Sequence, residues 1–425
     1  MISLFRHYTK TCCSQLLRQN VFQYTFSVPV QRHVFKLPNP KIAFINNFKY
    51  SSLLGKVTTA VPIRTIRSDN VERYRKAVGY WLCTCSGMVF VAVILGGVTR
   101  LTESGLSIVT WKLLGEKMPT TKEDWEAEFH KYQQFPEFQI QRKDMTLNEF
   151  KWIWYMEYGH RMWGRAIGAV FVIPATFFWI KKAFRRATKV RVTAFGTLIL
   201  AQGLMGWYMV KSGLENKYEG ENEVVRVSQY RLASHLSLAF ILYSLLLWSS
   251  LDHLLPAQPL KDVNKDVIKS ARKFRMFAHS CKGVVFLTAV SGAFLAGLDG
   301  GLVYNSFPKM ADKWIPSDIL AHKPILCNFT ENPTTVQFNH RVLGVTTLTL
   351  ISTLWIFSRR RVLPPRAYLA TNIIAIMTYL QVALGITTLL MYVPLPVAAS
   401  HQSGSLLLLS FAVWLTHELK YLPKI

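Results

Sequence analysis

The sequence predicts an all-α membrane protein whose eight transmembrane helices form two repeated four-helix bundles. Three observations indicate this fold class: long apolar blocks, basic residues gathered in alternate loops, and an order of motifs that occurs twice. Half of the 425 residues are hydrophobic. They concentrate in eight blocks of about 16 to 26 residues with almost no charge, roughly the length that crosses 30 Å of hydrocarbon as a helix.

The eight blocks define the predicted spans and the domain boundaries. The first four spans form an amino-terminal half at residues 77–255, and the last four form a carboxy-terminal half at 277–418, joined by a matrix linker at 256–276. The predicted spans are Tyr80–Val98, His160–Ile180, Val192–Val210, Leu232–Leu251, Gly283–Leu298, Val342–Phe357, Tyr368–Val393 and Ala398–Leu415.

The first 68 residues have the composition of a mitochondrial transit peptide and matrix leader. Residues 1–68 contain no Asp or Glu, while Arg and Lys recur among Ser, Thr, Gln and aromatic residues. This segment supplies part of the net charge of +26. The chain lacks the interleaved aromatic and basic residues of a nucleic-acid-binding module, so we expect contact with membrane lipid and none with nucleic acid.

The rest of the positive charge lies in alternate loops. Basic clusters occur at 181–191, 269–275 and 359–366, whereas the loops at 116–128 and 215–223 carry most of the nearby acidic residues. Basic loops stay on the inner side of a membrane. The sequence therefore predicts a multi-pass protein of the mitochondrial inner membrane with both termini in the matrix.

An internal repeat relates the two halves. Because each half has an even number of spans, both halves share one orientation and are related by an axis along the membrane normal. Four segments of the first half recur in the same order in the second: Thr102–Leu106 as Leu298–Leu302, Tyr158–Gly164 as Phe338–Gly344, Gln202–Gly206 as Gln381–Gly385, and Ala233–His235 as Ala399–His401.

Four of the eleven histidines fall at predicted span openings on the outer side. His160 and His235 belong to the first half, and His340 and His401 belong to the second. Each bundle thus offers two imidazoles from different helices at one depth, which suits axial ligation of a haem iron. A single histidine at such a position is more often an interfacial residue, but two ordered pairs on one membrane face favour metal or haem ligation.

The two halves differ beside the histidines. Glu157 precedes His160 by three residues on the same helical face, whereas Gln337 holds the equivalent position before His340. A carboxylate can exchange protons near a reacting carbon and an amide cannot, so Glu157 is the candidate catalytic residue and the first half the candidate reaction chamber. Alternatively, Glu157 orients a histidine or faces the loop. A di-iron centre is disfavoured because no second E-x-x-H pair lies in a span.

Arginine follows one histidine of each pair. Arg161 and Arg341 are candidate contacts for haem propionates, and the alternative is that both side chains extend to the membrane interface. The six cysteines do not form a disulfide framework, since only Cys327 lies in an outer loop. Cys327 is either free or paired with another chain.

The chain resembles the haem A synthase family over about residues 77–415. The resemblance rests on GGVTRLTESG at 96–105, EYGHRMWG at 157–164, GLDGGLVYNSFP at 297–308, NHRVLG at 339–344 and ASHQ at 399–402. It implies oxidation of a methyl group of haem O to a formyl group, giving haem A for cytochrome c oxidase. Bacterial members often carry a cysteine pair in an outer loop, where this chain has only Cys327.

The resemblance also implies residue roles and partners. His340 and His401 would hold a resident haem b cofactor, while His160 and His235 would flank the substrate haem with Glu157 beside it. The implied partners are a matrix ferredoxin-type electron system, haem O synthase and assembly factors of cytochrome c oxidase. Two other classes remain: a bis-histidine cytochrome b for electron transfer, and a transporter, which only the repeat suggests.

Overall fold

The computed structural model describes residues 69–215, 225–260 and 263–422. Within these ranges the chain is built from helices and loops, and the one β-bridge joins Met310 to Lys313. The predicted leader at 1–68 lies outside the described residues. Helices of the first half are α1 Arg75–Leu101, α2 Lys122–Gln133, α3 Leu147–Ile180, α4 Arg186–Leu214 and α5 Gln229–Leu254.

The second half contains four long helices that begin at identifiable capping residues. The Asn264 side chain accepts a hydrogen bond from the Val267 amide, and Asn332 accepts from two amides of the next helix. The last two helices begin at Pro364–Pro365 and Pro394, where proline suits the first turn. The bounds are α6 Lys265–Gly297, α7 Pro333–Ser358, α8 Pro365–Leu390 and α9 Leu395–Glu418.

Seven of these helices, α1 and α3 to α8, are long and apolar enough to cross a membrane. This confirms an all-helical, multi-pass fold class. The predicted eighth span corresponds to α9, which has 24 residues but carries the polar run Ser400–Ser405 in its first half. The polar run lowers the hydropathy of α9, so its crossing of the membrane stays a prediction.

The predicted span His160–Ile180 is the second part of a longer helix. Helix α3 begins at Leu147, where Thr146 and Glu149 form a capping box, so His160 lies well inside a 34-residue helix. The other three histidines lie seven or eight residues into α5, α7 and α9. Helix α3 is longer because its first three turns belong to an outer structure beyond the apolar block.

That outer structure, which we call the outer module, consists of α2, the following π-helix Glu137–Gln141 and the start of α3. Its core is aromatic: Tyr132 lies 5.2 Å from Phe150, and Trp154 stacks on Tyr158 at 4.7 Å between ring centroids. This small core is separate from the main one between the long helices. The outer module thus packs along the first turns of α3, which precede His160 on the same helix.

Helix contacts repeat between the halves. In the first half, α1 packs against α3 and α5, α3 against α4, and α4 against α5; in the second, α6, α7, α8 and α9 repeat this closed arrangement. The matched turns after α1 and α6 also have the same backbone conformation at one position, since Glu103 and Asp299 both have a φ of 51°. Helix α9 joins the halves by packing against α1 and α5, and Gln402 donates a hydrogen bond to the Val93 carbonyl.

Candidate functional site

Each of the four histidines lies against a glycine of a neighbouring helix. A Cβ atom placed on that glycine would lie 2.8 to 3.6 Å from the imidazole Cε1 atom. The absence of a glycine side chain thus makes room for each ring. The four histidine–glycine contacts occupy matching places in the repeat: His160 with Gly96, His235 with Gly206, His340 with Gly292, and His401 with Gly385.

His340 and His401 face each other in the second half. Their ring centroids are 6.4 Å apart and the ring planes are nearly perpendicular, at 89°. An imidazole nitrogen lies about 2 Å from a metal ion that it binds, so two rings on opposite sides of one ion have centroids roughly 6 Å apart. Both side chains are only partly buried. The spacing of this pair fits a haem iron between the two rings.

Side chains hold both rings of this second pair. The Nδ1 atom of His340 lies 2.7 Å from Ser291 Oγ, whose hydroxyl donates to the Thr288 carbonyl and therefore accepts from the ring. Gln381 Nε2 lies 3.1 Å from Nδ1 of His401 and donates to the His401 carbonyl. A partner that accepts from Nδ1, as Ser291 does, fixes the orientation and tautomer of a metal-binding imidazole. At His340 the contact occupies Nδ1 and leaves Nε2 available to a metal ion.

The first pair lacks these partners. The Nδ1 atoms of His160 and His235 are buried and make no hydrogen bond within the described part of the chain. Leu95 occupies the place of Ser291, and Gln202, the counterpart of Gln381, donates only to the His235 carbonyl. The repeat thus preserves the histidines and the glutamine, but neither the serine nor the contact of the glutamine with the ring.

Glu157 is buried, and both of its carboxylate oxygens accept hydrogen bonds. Its Oε2 atom accepts from Ser107 Oγ and the Ile108 amide, both at 2.7 Å. Its Oε1 atom accepts from Nε and Nη2 of Arg161 at 3.0 and 2.6 Å. These four donors satisfy both carboxylate oxygens. Glu157 therefore fixes the loop after α1 to the helix that carries His160.

The equivalent amide does the same in the second half. Gln337 donates to the Gly300 carbonyl at 2.7 Å and accepts from Arg341 at the same distance. Arg341 also donates to Tyr304, as Arg161 does to Ile108 and Thr110. In this structure both arginines thus bind loop carbonyls and the preceding Glu or Gln, and their contact with propionates stays a prediction.

Sequence reasoning missed several residues of the site. The four glycines were visible as repeated positions, yet only the packing reveals that each lies against an imidazole. Ser291 and Ser107 carry no distinctive spacing at all. Cys327 is a free thiol, largely buried in a short helical turn. The described residues hold no group of three or more His, Cys, Asp or Glu side chains placed to share a metal ion.

Together, the fold and the site define a polytopic helical membrane protein with two repeated halves, each of which contains a histidine pair. Residues 79–413 match the family model described as cytochrome oxidase assembly protein, COX15-CtaA. The chain belongs to this family.

Curated relatives extend over most of the chain. The mouse protein "Heme A synthase COX15" is 57% identical over 371 residues, which cover 87% of this chain and 86% of the relative. The protein of that name from Arabidopsis thaliana is 44% identical over 377 residues, covering 87% and 82%. "Heme A synthase" of the bacterium Nitrosospira multiformis is 42% identical, with 85% of this chain and 98% of the relative covered.

Proposed function

We propose that this protein is a haem A synthase, an oxidoreductase that converts one methyl group of haem O to a formyl group and so supplies haem A for cytochrome c oxidase. The observation that carries the proposal is the similarity to relatives of that name across both repeated halves. The paired histidines of each half are chemically suited to two haems, one retained and one transformed.

We assign the second half to a resident haem b, held by His340 and His401. The 6.4 Å ring spacing supports this assignment, as does the contact of Ser291 with Nδ1 of His340. Rings that are held by neighbours lose little freedom on binding a ligand, so affinity is high. A haem bound there supplies one-electron chemistry to the site.

We assign the first half to the substrate, haem O, between His160 and His235. A substrate must enter and leave, so ligands that are less firmly held than those of the cofactor site suit this role. The unpaired Nδ1 atoms of His160 and His235 support the assignment, because without such partners an imidazole is a weaker ligand. In this proposal the second half retains haem b, and the first half binds haem O, converts it and releases the product.

Glu157 is the proposed acid–base residue of the substrate half. It lies one helical turn from His160, and Ser107 and Arg161 hold its carboxylate. A carboxyl group at this place favours positive charge near the reacting methyl carbon and accepts protons that leave that carbon. Gln337 can do neither, which is consistent with a cofactor role for the second half.

The proposed setting is the mitochondrial inner membrane, with both termini in the matrix. The basic loops at 181–191, 269–275 and 359–366 support this orientation. A matrix ferredoxin-type system would exchange electrons with the protein, and haem O synthase and cytochrome c oxidase assembly factors would act before and after it.

The test is identification of the haems bound to the purified full-length protein by extraction and chromatography. We expect haem b together with haem O or haem A, and formation of haem A when haem O is supplied with an electron-transfer system. Two haems b per chain, with no haem A formed, would refute the synthase and favour an electron-transfer cytochrome b. His160→Ala serves as the matched control, because it should abolish haem A and retain haem b.

A further inference from the structure

The loop between α1 and α2 carries two adjacent leucines that contact little of the protein. Leu113 is 85% exposed and Leu114 is 90% exposed, the highest fractions among the large hydrophobic side chains of the described residues. Trp111 and Met118 of the same loop are exposed as well. An exposed apolar cluster of this kind marks a contact surface. We call Leu113 and Leu114 the loop tip.

The loop descends along α3 as it leaves α1. Its backbone binds side chains that lie successively farther along this helix: the Ile108 amide donates to Glu157 at 2.7 Å, the Thr110 carbonyl accepts from Arg161 at 2.8 Å, and the Lys112 and Leu113 carbonyls accept from Arg165 at 2.6 and 3.1 Å. At Gly115 the loop has turned back, since a Cβ placed there would lie 2.7 Å from Met162 Sδ. The loop tip is therefore the lowest part of the loop, beside residues 162–165.

The length of α3 gives the depth of the loop tip in the membrane. The inner end of this span is marked by Lys181 and Lys182, which directly follow Ile180. A helix rises 1.5 Å per residue, so about 20 residues cross roughly 30 Å of hydrocarbon. About 20 residues counted back from Ile180 reach Arg161. Residues 162–165, and the loop tip beside them, thus lie in the outermost turn of the hydrocarbon layer.

The loop tip continues the lipid-facing surface of α3. Ala169, Val172, Ile173 and Thr176 are exposed, and they follow Arg165 at spacings that keep them on its side of the helix. Helix α3 is one of the helices long and apolar enough to cross a membrane, so lipid covers this exposed face. The loop tip lies at the outer end of the same face.

The polar groups of the loop suit this depth. Irregular backbone inside hydrocarbon needs hydrogen-bond partners, and a charged side chain there needs polar ones. Arg161 and Arg165 meet both needs, because their guanidinium groups donate to the loop carbonyls. The Trp111 ring lies 5.2 Å from the guanidinium carbon of Arg161 and 5.3 Å from that of Arg165. Tryptophan is typical of the membrane interface.

The second half lacks the second arginine. Val345 occupies the place of Arg165 in the repeat, and its side chain is exposed. Arg341, the counterpart of Arg161, donates to the Tyr304 carbonyl of the matching loop. A descending loop held by two arginines is thus specific to the first half.

We propose that the loop tip inserts into the hydrocarbon of the outer leaflet and anchors this loop in the membrane. The partner is the acyl-chain region of the bilayer lipids. The same loop supplies the Ser107 hydroxyl and the Ile108 amide to Glu157, so lipid contact at the tip helps to position that carboxylate. The inference goes beyond the proposed haem chemistry and does not depend on it.

The experiment measures the depth of a nitroxide label at the loop tip of the full-length protein in phosphatidylcholine vesicles. Leu114→Cys is labelled, with Leu113→Cys in parallel, and power saturation compares collisions with oxygen, which concentrates in hydrocarbon, and with a nickel chelate, which stays in water. Ile173→Cys, on the exposed face of α3, is the lipid reference, and Lys122→Cys, on the exposed surface of α2, is the water reference. The unsubstituted protein, treated in the same way, gives the background of the native cysteines.

We expect the ratio of oxygen to nickel collisions at residue 114 to be severalfold higher than at residue 122 and to approach that at residue 173. A ratio equal to that at residue 122 overturns the inference. Arg165→Leu removes the donors to the two tip carbonyls, so it should lower the ratio at residue 114 toward the water reference. An unchanged ratio in that variant overturns the anchoring by Arg165.

Two features keep these outcomes distinct from misfolding and from the proposed function. Circular dichroism of each labelled variant should match that of the unsubstituted protein, which shows that the helices are retained. The label reports depth and not haem chemistry. A protein that forms no haem A therefore fails the proposed function, while the collision ratio at residue 114 still decides whether the loop tip lies in lipid.

Discussion

Alanine in place of Gly385 should displace His401 and release the resident haem. The added Cβ would lie 2.8 Å from His401 Cε1, whereas ordinary contact begins at 3.4 Å, so the ring must move by the difference, 0.6 Å. Metal–ligand distances tolerate a change of only about 0.2 Å. A move three times larger breaks or weakens the bond between imidazole and iron.

The four glycines give a graded series. We subtract each distance between the added Cβ and the imidazole Cε1 atom from the 3.4 Å of ordinary contact. The ring must then move by 0.4 Å in Gly96→Ala, where the distance is 3.0 Å, and by 0.2 Å in Gly292→Ala, where it is 3.2 Å. No movement is needed in Gly206→Ala, where the distance is 3.6 Å. In the second half, Gly385→Ala should therefore lose more haem than Gly292→Ala. In the first half, Gly96→Ala should impair haem O binding while Gly206→Ala should not.

The assay is the haem-to-protein ratio of each purified variant together with its optical and electron paramagnetic resonance spectra. Gly344→Ala on α7 is the control, because no atom lies within 4 Å of its added Cβ. In a helix interior, Gly→Ala otherwise stabilises by about 1 kcal/mol, so loss of haem would not reflect a weaker helix. Full haem occupancy with an unchanged low-spin spectrum in Gly385→Ala would refute the reasoning.

Three further outcomes follow from the same structure. Ser291→Ala removes the hydrogen-bond partner of His340 Nδ1 and should weaken haem b binding roughly 10- to 100-fold. The assay is the rate of haem transfer to an acceptor globin, and equal rates for the variant and the wild type would contradict the prediction. Glu157→Gln should fold, because Gln337 makes the equivalent contacts in the second half. This variant should keep haem b and form no haem A. If chromatography still detects haem A as a product, Glu157 has no acid–base role. Because burial raises the pKa of Glu137 from 4.5 to about 8, the folded protein holds its proton where the unfolded chain has lost it, so stability should fall as pH rises across this interval. Thermal melts from pH 5 to about 9 should show a smaller decline in Glu137→Gln, and parallel curves would contradict the burial argument.

The limits of sequence reasoning are clearest in α3. Its apolar block from residue 160 predicted a span, but the preceding turns at 147–159 mix aromatic with charged residues and show no membrane hydropathy. The Thr146–Glu149 capping box marks the start of this extension, and packing on α2 buries its aromatic side chains. The burial of Glu137 follows from the same packing, which no local pattern indicates.

The sequence by itself determined the apolar helices, the order of the repeat, the histidine pairs and the Glu157–Gln337 difference. These are properties of local composition and spacing, because a membrane selects segments by length and hydropathy. The tertiary structure decided that glycines lie against the imidazoles, that Ser291 holds His340 while Leu95 leaves His160 without a partner, and that Arg161 binds Glu157. Those contacts depend on which helix faces meet, and residues far apart in sequence meet only when the bundles close.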